Sequence, residues 1–520
     1  MPTCHFFLLA GELTLQVKSP GLEPGASAGL RLLGARARAQ DVGEPQPDKA
    51  WPDPPKPGPA RARPTLVAFE LHSRAIPGLE VHLASFPALR KRFERMRGAV
   101  REGEMPPTFH DIEGLPQFEG QARTSLTVGP FRHPPTRDFC RAFAEFMMPW
   151  TPEEYISIVN ETSAVIERVD PHLIFVDTMF SHAMDACNLL RRSYHVLSPL
   201  LPSLVCNQNQ PLVRRLFRYP MSGTGMPYPL PLSLIPANLL YFVTMIYYAL
   251  RSKPLNSANA ARAARGCPGS YPLMDLTYVS PERTYITPGV AEVDLPFDCP
   301  STLHLCGPIS ADFVSLRDGD PELATWLDRG ETVLMIMGTH FDYDEPLARR
   351  VLEGLLGGVD ATTQILWKVP NRDELGAVFD EVLTTARDRD RVRAVTWFDA
   401  EPAAILEHEN VVCYVHHGGA NSYYECARAG KPQVVLAQWV DTYYNAVAAE
   451  YAGLGVYGNK SCAPDVSSTE LSLALKRATS GEDAARMRER AGEVAVKCCE
   501  AGGRQRAADI VVGLLGTKAA

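Results

Sequence analysis

Apolar positions from Thr65 onward fall into short runs that alternate with segments of helical pattern. The run VVCYVHH at 411–417 is β-branched and aromatic, as in a buried strand, and QVVLAQ at 433–438 is similar. Such alternation favours parallel strands joined by crossover helices. The other predicted strands are 80–85, 173–176, 332–340, 364–369 and 392–397, and the first predicted helix is 66–74.

Two glycines separate the strand at 411–417 from the next helix. Gly418 and Gly419 precede Asn421 and Ser422, whose side chains are typical of a helix N-terminus. The first-turn N–H groups of a helix lack intrahelical partners, and its dipole is positive at this end. A strand, two glycines and a helix N-terminus therefore predict an anion site, and a diphosphate fits it.

Four further side chains extend this anion site. His417 stands at the turn, where an imidazole can donate to a phosphate oxygen, and Glu425 lies about one turn into the helix, where its carboxylate can accept from ribose hydroxyls. The strand at 433–438 delivers Trp439 and Asp441 to the same sheet edge, where open parallel sheets bind ligands. Each residue alone has an ordinary structural explanation, but together they indicate a nucleotide-sugar pocket.

This stretch resembles the donor-binding signature of the family 1 UDP-glycosyltransferases. The resemblance implies that Trp397 stacks on uracil and that Asp441 holds sugar hydroxyls. It also implies a diphosphate- and ribose-binding run that consists of His417, Gly419, Asn421, Ser422 and Glu425. These positions keep one order within a short stretch, which is far more specific than a lone Gly-rich triplet.

Four other positions are assigned to the donor site through the same resemblance. Thr442 stands where the family has a Gln beside the acidic residue, which leaves the sugar open, and Glu401 stands near where the family has a Gln beside uracil. Gly338 and Thr339 resemble the first loop of the donor domain, which approaches the diphosphate. We therefore expect all of these residues at one pocket, together with Gly418.

The resemblance implies an α/β fold with GT-B architecture, in which two Rossmann-like doubly wound domains face a cleft. The chain of 520 residues is long enough for two cores. The predicted parts are a disordered or aberrant Pro/Gly/Ala-rich segment at 1–64, an acceptor-binding domain at 65–320, a UDP-sugar-binding domain at 321–468, and helices at 469–520 that pack back across the domains.

Composition excludes some classes of partner. The net charge of -8 argues against nucleic acid, which selects a basic surface. Twelve cysteines without a C-x-x-C pair or a metal spacing indicate reduced thiols, a cytoplasmic location and no metal site. The start, HFFLLAGELTL, lacks the basic residues and cleavage site of a signal peptide. No cofactor is expected, since the UDP-sugar is a substrate.

An apolar run of nineteen residues without a charge begins at Leu232 and ends at Leu250. Its length just reaches that of a bilayer span, about twenty residues. Pro236 and Asn238 interrupt its first turns. We therefore interpret it as an apolar cap over an acceptor pocket or as an interfacial helix that contacts a membrane surface.

The catalytic base is the weakest part of the pattern. The resemblance implies a His after the first strand of the first domain, oriented by an Asp at a later strand end. Asp177 resembles that Asp, but eight prolines and no histidine lie between Asp41 and Pro64, and the first strand is not recognisable there. His5 is a distant candidate for the base, and His72 is expected on a helix surface.

Three interpretations fit the missing His. The chain is an inactive UDP-sugar binder, residues 20–64 are noncoding text read in frame, or a different base serves; the composition favours the second. The resemblance implies transfer of a hexose, with inversion, from a UDP-sugar to a hydroxyl of a hydrophobic small molecule or lipid, such as a secondary metabolite or sterol. Alternatives are a catalytically impaired UDP-sugar-binding or membrane-associated pseudoenzyme, and a nucleotide-sugar epimerase or hydrolase of the same fold.

Overall fold

Two parallel β-sheets with helices on their faces organise the chain. The structure is a computed structural model, and it describes residues 4–10, 63–97, 106–123, 137–272, 274–338 and 341–518. The strands are β1 Cys4–Leu9, β2 Leu79–Ser85, β3 Thr108–Asp111, β4 Leu173–Asp177, β5 His195–Leu197, β6 Tyr285–Thr287, β7 Leu303–Leu305, β8 Thr332–Ile336, β9 Gln364–Lys368, β10 Val392–Val395, β11 Val411–His416, β12 Gln433–Val435 and β13 Gly455–Tyr457.

The helices lie between these strands and after the last of them. They are α1 Arg63–Ser73, α2 Arg90–Arg97, α3 Gln117–Ala122, α4 Arg137–Met147, α5 Pro152–Val169, α6 Ser181–Leu189, α7 Pro202–Val205, α8 Leu212–Phe217, α9 Ile235–Arg251, α10 Lys253–Arg265, α11 Leu316–Gly319, α12 Pro321–Leu327, α13 Glu345–Gly358, α14 Gly376–Val382, α15 Ala386–Arg391, α16 Pro402–Leu406, α17 Ala420–Arg428, α18 Val440–Tyr451, α19 Ser468–Thr479, α20 Gly481–Glu500 and α21 Gly503–Lys518.

The first sheet contains seven strands in the order β3-β2-β1-β4-β5-β6-β7. Its third strand is β1, which lies in the interior of the sheet and pairs in parallel with β2 and with β4. The first strand, which is not recognisable between Asp41 and Pro64, therefore lies further upstream, and its place in the sheet corrects the assignment of residues 4–9 to a disordered or aberrant segment. The run HFFLLA supplies this strand, and Phe6 to Leu9 are buried because helices cover both faces. Residues 11–62, which hold most of the segment expected to be disordered or aberrant, lie outside the described residues.

The second sheet contains six strands in the order β10-β9-β8-β11-β12-β13. Its pairs are all parallel, and the order reverses beside β8 and β11, as in a doubly wound fold. The predicted strands at 332–340, 364–369, 392–397, 411–417 and 433–438 all exist, although each ends one to four residues earlier than predicted. The α/β class and the two-domain GT-B architecture are confirmed.

A third apolar cluster joins the two sheet layers. It packs Leu201, Tyr219 and Val293 of the first domain against Tyr423 and Tyr444 of the second. Polar contacts cross the same boundary, because the Ser203 hydroxyl lies 2.9 Å from the Tyr444 hydroxyl, and the Tyr423 hydroxyl donates to the Val293 carbonyl at 2.5 Å. The two domains are therefore packed against each other at the base of the cleft.

The C-terminal helix α21 returns to the first domain. Its Ala507, Ala508 and Val511 pack into the same cluster as Leu66 of α1, and Arg504 pairs with Glu70 of α1 at 2.8 Å. The tail forms three helices, α19 to α21, where the composition predicted two. The packing of this tail across the domains follows from these contacts.

Helix α9 occupies most of the predicted apolar run. Residues 232–251 form the one helical stretch, within the described parts of the chain, that is long and apolar enough to cross a membrane. The most apolar 18 residues of this stretch have a mean hydropathy of 1.5, and only 6% of them are buried. The helix therefore lies at the molecular surface and not in the core.

Candidate active site

A cavity of about 540 Å³ lies between the carboxyl edges of the two sheets. This is the position where open α/β sheets bind ligands, because helix N-termini and loops converge there. One wall belongs to the second domain, and eight of the predicted donor residues line it: Gly338, Trp397, His417, Gly419, Asn421, Ser422, Glu425 and Asp441.

The turn after β11 shows how the two adjacent histidines differ. His416 is buried and accepts the Gly418 N–H on Nδ1 at 3.0 Å, so its Nε2–H donates to Gln433 Oε1 at 2.8 Å. Burial lowers the pKa of His416 to about 4, so this imidazole is neutral and structural. His417 points instead into the cavity wall, with its ring centroid 5.2 Å from that of Trp439.

Gly418 supports this turn and does not line the cavity, which corrects its placement among the donor contacts. Its N–H is used by His416, its carbonyl accepts from Asn445 Nδ2 at 2.7 Å, and its φ is +85°. A Cβ here would lie 2.8 Å from Val435 Cγ1. The donors that face the cavity belong to the next residues, where Gly419 is the N-cap of α17.

Helix α17 carries three of the predicted contacts. Asn421 and Ser422 lie in its first turn and Glu425 in its second, and all three are partly exposed toward the cavity. Tyr414 of β11 donates to the Ser422 hydroxyl at 3.3 Å, which orients that side chain. The positive end of the helix dipole and the Glu425 carboxylate therefore stand one turn apart along the same wall.

Gly338 forms the opposite side of the anion site. Its φ is +92°, and a Cβ there would lie 3.0 Å from the His417 ring, so only glycine allows this close approach. The predicted contact Thr339 lies outside the described residues.

Lys368 is a residue of this wall that the sequence analysis missed. Its Nζ donates to the Gly338 carbonyl at 3.2 Å and lies 3.7 Å from the ring centroid of Trp397. Burial lowers the pKa of Lys368 to about 8, although the Asp342 carboxylate opposes that shift. A lysine at the end of the apolar strand QILWK was the available signal, since lysine is rarely buried without a partner.

Asp441 and Thr442 begin helix α18 but face different surroundings. Asp441 lines the cavity, and burial raises the pKa of its carboxyl to about 6. Thr442 is fully buried, and its hydroxyl accepts the N–H groups of Gln438 and Trp439, both at 2.9 Å. Thr442 therefore closes the turn, which corrects its place among the sugar contacts.

Glu401 also lies outside the cavity lining. It is the N-cap residue of α16, and its neighbours Ala400 and Pro402 line the cavity. Glu401 is therefore next to the cavity, near Trp397 as predicted, but it does not line the cavity.

The first domain supplies an apolar wall opposite the donor residues. Phe143 and Met147 come from α4 or its C-terminal end, Met179 follows β4, and Phe242 and Met245 come from the inner face of α9. The interpretation of the apolar run as a cap over this pocket agrees with that position. The side chains of this wall are therefore mostly apolar, as is common in small-molecule sites.

Asp177 is buried at the carboxyl end of β4, just behind the cavity wall. Its Oδ1 accepts the Met179 N–H at 2.8 Å, and burial raises the pKa of its carboxyl to about 7. Arg63, the first residue of α1, favours the charged form of Asp177, lines the cavity and donates to the Pro199 carbonyl at 3.0 Å. Arg63 is a second residue that the sequence analysis missed.

His5 is excluded as the base by its place in the fold. It is the second residue of β1, so it lies at the amino edge of the sheet, whereas the cavity lies at the carboxyl edge. His417 is the one histidine that lines the cavity within the described residues. The sequence from Gly11 to Ala62, which follows β1, contains no histidine.

The fold and the site together define a nucleotide-sugar-dependent glycosyltransferase, and comparison with known proteins agrees. Residues 373–499 match the family model for the C-terminal domain of erythromycin biosynthesis protein CIII-like proteins. The chain is 32% identical over 473 residues to the glycosyltransferase sdnJ of Sordaria araneosa, covering 84% of this chain and 92% of that protein. It is 24% identical over 342 residues to the UDP-glycosyltransferase stmC of Aspergillus ustus, 61% of this chain and 60% of that protein.

A solved structure shows the same fold. A UDP-glucosyltransferase from Polygonum tinctorium, capable of glucosylating indoxyl and complexed with 3,4-dichloroaniline, has a TM-score of 0.58 at 12% identity and covers 98% of both chains. The chain belongs to the family 1 UDP-glycosyltransferases, and it is a transferase that takes its sugar from a UDP-sugar donor.

Proposed function

We propose that this enzyme transfers a hexose from a UDP-sugar to a hydroxyl of a hydrophobic small molecule or lipid, with inversion at the anomeric carbon. The observation that carries the proposal is the single cavity that joins the donor residues to the apolar wall of the first domain. A sugar nucleotide on one wall would hold its anomeric carbon toward an acceptor on the other, and such positioning supplies a large part of a transfer rate.

Each donor residue has a proposed role that follows from its position. Trp397 would stack on uracil, Glu425 would accept from the ribose hydroxyls, and Asp441 would accept from the sugar. The first turn of α17, His417 and Lys368 would surround the diphosphate with donors and positive charge. The leaving group is then stabilised by fixed dipoles, so the reaction in this proposal needs no cofactor.

Asp177 is proposed to support proton removal from the acceptor. Its carboxyl has a pKa of about 7, close to the value at which a group can both take and release a proton near neutral pH. Its carboxylate lies behind Met179 and does not line the cavity, so the acceptor proton would reach it through an intervening water molecule. The absence of a histidine after β1 is the observation that favours the alternative, an impaired UDP-sugar-binding pseudoenzyme.

A transfer assay with UDP-glucose and a panel of hydrophobic alcohols and phenols tests the proposal. We expect a glycoside whose anomeric proton signal in NMR shows inversion, and we expect Asp177→Asn to lower kcat at least about tenfold while UDP affinity is kept. Thr178→Ser, beside it, is the matched control. UDP binding without product from any acceptor would support the pseudoenzyme, and consumption of UDP-glucose without acceptor would support a hydrolase or epimerase.

We further propose that the enzyme is cytoplasmic and contacts a membrane surface through the outer face of α9. Leu240, Val243 and Leu250 lie on that face and are 68%, 59% and 73% exposed. Leu212 of the adjacent α8 is 60% exposed, and the same helix carries Arg214 and Arg215. An apolar helix face flanked by basic residues favours an interface with anionic lipid, which would bring lipophilic acceptors to the cavity.

The double variant Leu240→Asp/Val243→Asp is expected to lose at least about tenfold in binding to vesicles of phosphatidylcholine and phosphatidylserine, measured by co-sedimentation. Each side chain contributes roughly 1.5 to 3 kcal/mol when it leaves water. The matched control is Leu473→Asp/Val496→Asp, which changes two exposed apolar residues, 58% and 55% exposed, on α19 and α20. Equal vesicle binding by both double variants would rule out the α9 surface.

A further inference from the structure

A cluster of histidines begins at the amino edge of the first sheet and extends along one face of its strands. His5 is on β1, Glu80 and His82 are on β2, and His110 is on β3. The three strands are neighbours in the sheet, and His5 pairs directly with Glu80. His82 lies two residues further along the same face of β2, because side chains alternate along a strand. Three adjacent strands thus bring imidazoles and a carboxylate together.

The donor atoms of three of these residues face one another. His5 Nδ1 lies 3.1 Å from His82 Nε2 and 3.3 Å from Glu80 Oε2, and His82 Nε2 lies 3.6 Å from Glu80 Oε2. A tetrahedral zinc ion with bonds of about 2.0 to 2.1 Å keeps its ligand atoms about 3.3 Å apart. The three separations therefore match the edges of one face of such a tetrahedron.

We propose that His5, Glu80 and His82 form a binding site for a divalent transition-metal ion of the zinc type, with water as the remaining ligand. Imidazole and carboxylate are ligands that such ions accept. The side chains of His5 and Glu80 are 28% and 41% exposed, so the ion has an entry path, whereas His82 is 10% exposed and anchors the site.

The surrounding residues orient the ligands as a metal site requires. His82 Nδ1 lies 3.2 Å from His110 Nε2, so His82 can donate its Nδ1–H to His110 while Nε2 holds the ion. The backbone N–H of His5 donates to His172 Nδ1 at 3.2 Å, and the His172 ring stacks on the His5 ring at 6.0 Å.

A chain of hydrogen bonds among these side chains explains the geometry less well. An N–H donor and an oxygen acceptor prefer about 2.9 to 3.0 Å, and the two contacts of Glu80 Oε2 are longer than that, at 3.3 and 3.6 Å. A carboxylate oxygen that faces two nitrogens at these lengths is what a shared ion between them produces.

The site would attach β1 to its neighbour β2. The chain leaves β1 at Ala10 and returns at Arg63 through residues 11–62, so this interior strand is joined to the next described element by a long connection. An ion that bridges His5 and His82 adds a second link. Because a ligand that binds only the folded chain stabilises it, the ion should raise the melting temperature of the protein.

The test is a titration of the purified full chain with Zn²⁺ after treatment with a chelator, with a chromogenic chelator as competitor. We expect one strong site, which His82→Ala weakens at least about tenfold. His304→Ala is the matched control, because His304 lies on β7, the last strand in the order of the same sheet. Glu80→Gln, on a side chain that is 41% exposed, keeps the test valid if His82→Ala does not fold.

A Co²⁺ titration distinguishes this site from cysteine ligands, because twelve thiols are present and Cys4 is adjacent in sequence to His5. We expect the visible absorption spectrum that Co²⁺ gives when its ligands are nitrogen and oxygen atoms. Strong thiolate-to-cobalt bands, absence of tight Zn²⁺ binding, or unchanged affinity in both His82→Ala and Glu80→Gln would each overturn the proposal. The melting temperature of the wild type should rise when Zn²⁺ is added, and the melting temperatures of the two variants should not.

Discussion

Glu425→Ala is expected to weaken the binding of uridine and of UDP by a similar factor, whereas His417→Ala is expected to weaken UDP and leave uridine unchanged. Loss of hydrogen bonds between the Glu425 carboxylate and the ribose removes roughly 1.5 to 3 kcal/mol, or about 10- to 150-fold in affinity. The imidazole of His417 stands beside Gly338 and the first turn of α17, where only the diphosphate would reach it. We expect a loss of about tenfold for UDP in that variant.

Isothermal titration calorimetry with uridine, UDP and UDP-glucose measures all of these affinities. Glu407→Ala is the matched control, because this carboxylate pairs with Arg428 and lies outside the cavity lining. An unchanged UDP affinity in His417→Ala would remove the phosphate role assigned to that residue. If Glu425→Ala weakens UDP but not uridine, its carboxylate does not hold the ribose.

Asp185→Asn is expected to destabilise the first domain by about 3 to 5 kcal/mol, because it breaks a buried ion pair. Asp185 on α6 and Arg262 on α10 are each 1% exposed and form two hydrogen bonds, at 2.6 and 2.7 Å. The Tyr155 hydroxyl on α5 also donates to Asp185, at 2.8 Å. Three helices therefore meet at one carboxylate, and its loss leaves a buried guanidinium without its counter-charge.

Thermal melting followed by circular dichroism measures this effect. At about 2 to 4 °C per kcal/mol for a domain of this size, we expect a decrease of roughly 6 to 20 °C. The control is Asp170→Asn, whose partner Arg192 is 41% exposed and which is itself 71% exposed, so a change below about 1 kcal/mol is expected. Similar melting temperatures for the two variants would show that the buried pair does not stabilise the domain.

The donor site was predictable from the sequence because its parts are contiguous. Strand β11, the turn at Gly419 and helix α17 follow one another directly, and a strand, a turn and a helix in sequence fix the relative positions of His417 and Glu425. Eight of the predicted residues do line the cavity. The errors at Gly418 and Thr442 arose because a sequence does not show whether an N–H or a hydroxyl points toward a ligand or back into its own turn.

The interior strand β1 was missed for a different reason. Its six residues, CHFFLL, are separated from helix α1 by residues 11–62, so the strand–helix spacing that identifies the other units is absent. Only pairing with β2 and β4 places it inside the sheet. Arg63 was missed with it, because its place beside the cavity depends on where α1 begins relative to that sheet.

The sequence by itself determined the fold class and the family, and it predicted residues that line one wall of the cavity, because periodicity, motifs and local spacing encode them. The tertiary structure decided which residues meet across the fold: Lys368 with Trp397, the apolar wall with the donor wall, and His5 with His82. The physical reason is that these contacts join strands and helices far apart in the chain. Their geometry exists only once parallel strands align and bring those side chains to a common edge.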